Sequence, residues 1–160
     1  MEKKKNSSKS NFLENESFLE KWKSNDLNVI LVDDEHFTRK STLRLINNFC
    51  KSKNLNINIV EVEDGISCLY NWYEHLKKGL EFSFILSDEC MNYMNGSFCA
   101  KILGEIQKTK NIKPTPFYIV TAFENLNSTN FMDQHLINGV FTKPLNFNNL
   151  EKIIIKCKKS

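Results

Sequence analysis

Five short, almost wholly apolar runs punctuate this chain, and longer stretches lie between them in which apolar residues recur every three or four positions. Few folds accept that alternation. A brief apolar run rich in β-branched residues suits a strand buried on both faces, and a 3.6-residue rhythm suits a helix with one buried stripe. The runs are Asn28–Val32 (NVILV), Ile57–Val62 (INIVEV), Glu81–Ser87 (EFSFILS), Pro116–Thr121 (PFYIVT) and Val140–Thr142. Residues 37–52 carry Leu43, Ile46, Phe49 and Cys50 at helical spacing. A second helix is marked by Ile66, Leu69, Tyr70, Tyr73, Leu76 and Leu80, and a third, entered through Asn95-Gly96, by Phe98, Ile102, Leu103 and Ile106. Residues 126–137 read as a weaker helix, because Asn, Ser and Thr favour caps and turns. Leu150, Ile153, Ile154 and Cys157 mark a closing helix. Strands alternating with helices in this way predict an α/β fold, an open parallel five-stranded sheet, doubly wound, with helices on both faces and right-handed crossovers.

Length and charge exclude several alternatives. At 160 residues the chain has the size of one domain with a short tail. Basic residues outnumber acidic ones by only 22 to 19, and no block of one sign is long enough to form a nucleic-acid surface. No apolar run approaches the roughly 18 residues of a membrane span. The polar opening MEKKKNSSKS is not followed by the apolar core of a secretory signal. Cys50, Cys68, Cys90, Cys99 and Cys157 are widely spaced and odd in number, without a CxxC, as expected of free thiols in a cytoplasmic protein. Residues 1–26 read as an N-terminal extension, disordered at first, with Phe12, Phe18, Leu19 and Trp22 marking a short amphipathic helix over 11–23. Residues 27–160 read as the folded domain.

Ligands of open parallel sheets sit outside the carboxyl ends of the strands. Polar residues should therefore follow the apolar runs at once. Strand one ends in Asp33-Asp34-Glu35, strand three in Asp88-Glu89, strand four in Thr121-Ala122 and strand five in Lys143-Pro144. Carboxylates, a hydroxyl and an ammonium are thus predicted to converge on one rim. Carboxylates so close repel one another unless a cation neutralises them, and an all-oxygen set suits Mg2+. Mg2+ held this way recruits phosphate oxygens, and the lysine and threonine would neutralise and donate to others. With neither GxxxxGK[ST] nor GxGxxG present, a bound nucleotide is not expected. An aspartate can instead carry the phosphoryl group itself, as an acyl phosphate.

VILVDDEH, FILSDECMNYMNG, FYIVTAF and GVFTKPL, in that order, resemble the signatures of the response-regulator receiver domain of two-component and phosphorelay signalling. The resemblance spans about residues 27–158, and the DxxMxxMxG run around Asp88 is its most specific piece. It implies a flavodoxin-like sheet of strand order 2-1-3-4-5. It also implies that Asp88 accepts a phosphoryl group from a histidine kinase or a histidine phosphotransfer protein, and that the domain signals by contact with a downstream protein target. By resemblance Asp34 is the direct Mg2+ ligand, Asp33 acts largely through water, and Cys90 offers its backbone carbonyl, its thiol being partly buried. Lys143 would pair with the phosphoryl group, Thr121 would turn its hydroxyl toward it, and the Lys143–Pro144 bond is expected to be cis. Such a domain is a phosphoacceptor that catalyses its own slow dephosphorylation, not an enzyme in the usual sense. It stands free or forms part of a larger hybrid kinase.

Two positions depart from the family pattern. Asn92 stands where proline is usual. Val140 replaces the aromatic residue that swings inward on phosphorylation to remodel the surface of the fourth helix, fifth strand and fifth helix; Phe141 is adjacent but should face the other way. Two rival readings follow: a pseudo-receiver that only binds proteins, and a Mg2+-dependent hydrolase with an aspartyl nucleophile, which would want an acid where Cys90 stands. His36, His75 and His135 are expected on polar faces or loops, Glu35 and Glu89 as solvated rim residues, and Trp72 at the surface.

Overall fold

Both faces of the first apolar run are covered: Val29, Ile30, Leu31 and Val32 are each at most 2% exposed. The computed structural model describes residues 26–122 and 136–159. Within them lie the strands β1 (Leu27–Val32), β2 (Ile57–Val62), β3 (Phe84–Asp88), β4 (Phe117–Thr121) and β5 (Gly139–Thr142). Four helices are described, α1 (His36–Ser52), α2 (Gly65–Lys77), α3 (Gly96–Thr109) and α4 (Phe147–Lys159). The strands form one parallel sheet of order β2-β1-β3-β4-β5, as the sequence led us to expect. The helix expected over 11–23 lies outside the described residues. So does that expected over 126–137, apart from Leu136 and Ile137, which are not helical.

Strand alternation divides the core in two. Leu27, Val29 and Leu31 pack with Ile46 and Phe49 of α1 and with Leu150, Ile153 and Ile154 of α4. Ile30 and Val32 point the other way, onto Cys68 and Trp72 of α2 and Cys99, Ala100 and Leu103 of α3. Among the described residues each face of the sheet thus carries two helices, and each buried aliphatic side chain contributes roughly 1.5–3 kcal/mol through the apolar surface it hides.

Three helix starts are fixed by side chains. Asp64 accepts from the Ser67 backbone N–H at 2.8 Å, Asn95 from that of Phe98 at 2.9 Å, and Asn146 from that of Asn149 at 3.0 Å. These caps satisfy N–H groups that have no partner inside the helix. Two of them, before α2 and α3, set helix entries on the rim where the acidic residues lie.

Several expectations about faces and ends need correction. The third strand begins at Phe84 rather than Glu81; just before it, the Ser83 hydroxyl takes the place of a backbone carbonyl in accepting from the Asn28 N–H at 3.0 Å, while the Ser83 N–H donates to the Asn28 carbonyl at 2.7 Å. The second helix stops at Lys77, and Leu80 follows a turn through Gly79, whose φ is 71°. The buried stripe of α2 is Cys68, Trp72 and His75, whereas Ile66, Tyr70 and Tyr73 are exposed. Trp72 is therefore a core residue, its indole N–H donating to the Thr115 hydroxyl at 3.1 Å. His75 is buried against Phe82, with ring centroids 4.8 Å apart. Phe98 of α3 is exposed, while Leu103 is buried.

Candidate functional site

β1 and β3 are neighbours, and the chain crosses to opposite sides of β1 in forming β2 and β3. At this switch point two loops leave the same edge together, the position at which open parallel sheets bind ligands. Asp33 and Asp34 follow β1 directly, and Asp88 is the last residue of β3. One carboxylate oxygen from each lies within 4.8 Å of those of the other two. Asp33 is buried; Asp34 and Asp88 are half-buried.

Lys143, immediately after β5, reaches across this cluster. Its Nζ lies 2.9 Å from Asp33 Oδ2 and 2.9 Å from Asp88 Oδ2. Burial pulls its pKa down, but the hydrogen bonds to Asp33 and Asp88 outweigh that and hold the ammonium above the usual lysine value. The Lys143 N–H also donates to the Thr121 carbonyl at 2.8 Å, and the Lys143–Pro144 peptide is cis, the isomer expected from the sequence. Thr121 ends β4 and is buried, facing Thr142 across the β4–β5 pairing. Three further oxygens are met by backbone and side-chain donors. Asp33 Oδ1 accepts from the Glu35 N–H at 2.9 Å and Asp88 Oδ1 from the Glu89 N–H at 2.7 Å. Asp34 Oδ2 accepts from both the backbone N–H of Asn92, at 3.1 Å, and its side-chain amide, at 3.0 Å.

Every residue proposed for the site from sequence thus lies at this edge of the sheet, with Cys90 in the loop after β3. Two details differ. The Cys90 thiol is exposed rather than partly buried, because its loop runs out over the rim. Glu89 is not a solvated rim residue: it accepts from the Ser97 N–H at 2.9 Å and the Ser97 hydroxyl at 2.7 Å at the start of α3. Burial raises its pKa, against the lowering effect of those hydrogen bonds.

Sequence reasoning missed Arg39. Its Nη1 donates to the Asp33 carbonyl at 2.5 Å, its Nη2 to Glu63 at 3.0 Å, and its Nε lies 3.5 Å from Glu61, so a buried guanidinium ties the end of β1 to β2. A signal for it exists. Arg39, Leu43, Ile46 and Cys50 share one helical face, and an arginine on an apolar stripe needs buried acceptors. Gly96 has an equally local reason. A Cβ there would stand 2.4 Å from the Asp88 carbonyl oxygen and 2.7 Å from Ile119 Cδ1, so only glycine lets α3 start this close to β3.

The donor set fits a hard cation. Three carboxylates without imidazole suit Mg2+ over zinc, and their mutual repulsion is only partly relieved by one ammonium.

The family model of the response regulator receiver domain matches residues 15–155. The chain belongs to that family. As a receiver domain it is a component of two-component signalling. Solved structures agree on the fold. A two-component response regulator from Cytophaga hutchinsonii superposes with a TM-score of 0.71 at 18% identity, covering 84% of this chain and 99% of that one. The receiver domain of the Pseudomonas aeruginosa sensor histidine kinase PA1611, whose active-site cleft coordinates a magnesium ion, gives 0.62 at 19% identity, over 84% and 99%. A chain of the Saccharomyces cerevisiae co-crystal of the histidine phosphotransfer protein Ypd1 with the receiver domain of its downstream response regulator Ssk1 gives 0.64 at 18% identity, over 82% and 88%. No curated protein matches significantly. On the receiver's β5 the neighbours Val140 and Phe141 face opposite ways: Val140 packs on the α2–α3 side of the core, and Phe141 on the α1–α4 side, 6.1 Å from the Tyr118 ring. No helix among the described residues is long and apolar enough to cross a membrane.

Proposed function

We propose that this receiver accepts a phosphoryl group on Asp88 from the phosphohistidine of a histidine kinase or a histidine phosphotransfer protein. The observation that carries the reading is the ammonium of Lys143, 2.9 Å from carboxylate oxygens of both Asp33 and Asp88. In the transfer, an Asp88 oxygen attacks phosphorus; the P–N bond breaks, an O–P bond forms, and the departing imidazole takes up a proton. Asp88 loses a negative charge at its own oxygen and gains a dianionic phosphoryl group. Lys143 is placed to follow that charge, moving its hydrogen bond from the carboxylate to a phosphoryl oxygen. Thr121, buried beside it at the end of β4, supplies a hydroxyl donor to another. Asp33, Asp34, Asp88 and the carbonyl of Cys90 would hold Mg2+, which when bound neutralises phosphoryl charge. Water then hydrolyses the acyl phosphate slowly and returns Asp88 to its carboxylate, so the domain consumes its own signal.

The domain comprises residues 27–160, with 1–26 as an extension, acts in the cytoplasm, and passes its signal to a downstream protein. Val140, packed on the α2–α3 side of the core, offers too little surface to report a Thr121 movement as an aromatic ring would, so output does not follow the family's aromatic switch. Mixing the chain with a histidine phosphotransfer protein bearing labelled phosphohistidine tests the reading. Label should pass to the wild type and not to Asp88→Asn. Label that stays on the donor would favour a pseudo-receiver that only binds its partners.

A further inference from the structure

We infer that Asn92 is a positioning residue that aims Asp34 at the cation. The inference rests on the phosphoacceptor reading above and deepens it. Of the six oxygens on Asp33, Asp34 and Asp88, five accept hydrogen bonds: two from Lys143, one each from the Glu35 and Glu89 N–H groups, and Asp34 Oδ2 from Asn92 twice, at 3.1 and 3.0 Å. Asp34 Oδ1 alone has no donor among the described residues. Two N–H groups on one oxygen engage it fully and fix the carboxylate plane. The open oxygen is then the one the side chain presents to a positive ion.

The loop is shaped to bring Asn92 there. The Met94 N–H donates to the Asn92 carbonyl at 2.7 Å across Tyr93, whose φ is 63°, a three-residue turn of the rare positive-φ kind. A tyrosine 91% exposed gains nothing by packing to offset that conformation. The Met94 carbonyl in turn accepts from the Gly65 N–H at 3.3 Å, and the Glu89 carbonyl from that of Gly96 at 3.1 Å. The turn is thus held from both ends while Asn92 reaches Asp34. Proline at this position could supply neither donor, so the departure from the family pattern is a gain of two hydrogen bonds to a ligand carboxylate.

Mg2+ titration followed by calorimetry, without any phosphodonor, tests this on the wild type, Asn92→Ala, which loses one donor, and Asn92→Pro, which loses both. Partners of metal ligands are commonly worth tenfold or more in affinity, and less where water reaches them. The dissociation constant should rise about threefold to tenfold in Asn92→Ala and further in Asn92→Pro, while the thermal midpoint without Mg2+ stays near that of the wild type in Asn92→Ala. A graded loss with donor number is not what a merely structural role produces. Wild type that binds with both variants equal to it or tighter overturns the role of Asn92 and leaves the acid-cluster reading standing. Wild type that fails to bind Mg2+ overturns both.

Discussion

His75 shows how one buried side chain makes stability depend on pH. Its ring Nδ1 lies 2.7 Å from the Asn71 carbonyl, and burial against Phe82 lowers its pKa below 6.5, against the raising effect of that contact. The folded state thus resists protonation that the unfolded chain accepts. Unfolding takes up protons as pH falls below 6.5, so the contribution is fully present above that value and is lost toward the folded pKa. Thermal midpoints measured between about pH 7 and pH 5 should fall more steeply for the wild type than for His75→Phe; equal slopes would contradict this. The residue scale also shows what sequence could and could not reveal. Asp33, Asp34, Asp88, Thr121 and Lys143 were legible because each stands at the end of an apolar run, and strand ends map directly onto one rim. His75 and Glu89 were misjudged because a polar letter does not show whether a neighbouring loop or helix covers it. The Asn92–Asp34 contact was illegible, since it joins loops 58 residues apart.

At the scale of elements, the start of α3 matters most to the site. Asn95 caps it, Ser97 engages Glu89, and Gly96 passes so close to Asp88 that a methyl group would stand 2.4 Å from its carbonyl oxygen. Backbone cannot yield as a side chain can, so α3 would have to move. Gly96→Ala should destabilise the fold by about 1–3 kcal/mol, as overpacking does, and weaken labelling at Asp88. An unchanged midpoint in denaturant together with full labelling would show that the contact is looser than described. Four strands were readable to within a residue at either end, and β3 alone started late, at Phe84 rather than Glu81; β1 was clearest because a run buried on both faces leaves few polar letters to confuse it. The helical faces were harder. α2 carries apolar residues on two sides, so the exposed Ile66, Tyr70 and Tyr73 mimic a core stripe as well as the true one, Cys68, Trp72 and His75. Only contact with the sheet decides between them.

Over the whole molecule, the parallel sheet does the positioning: its five strands point one way, so β1, β3, β4 and β5 deliver their terminal residues to a common edge. Order β2-β1-β3-β4-β5 puts the two acid-bearing strands side by side, and β5, two places from β3, lets a lysine side chain reach back over the cluster. This convergence follows from class of fold alone, which is why the site could be anticipated before any contact was known. Transmission of the signal could not, because Val140 stands where the family pattern has an aromatic ring. The central claim is that this edge makes Asp88 a phosphoacceptor. Intact mass after incubation with acetyl phosphate and Mg2+ tests it most directly. The wild type should gain one phosphoryl group, gain none when EDTA is present during the incubation, and show none as Asp88→Asn; a gain that survives Asp88→Asn undiminished, or a wild type that never gains mass, would contradict the account.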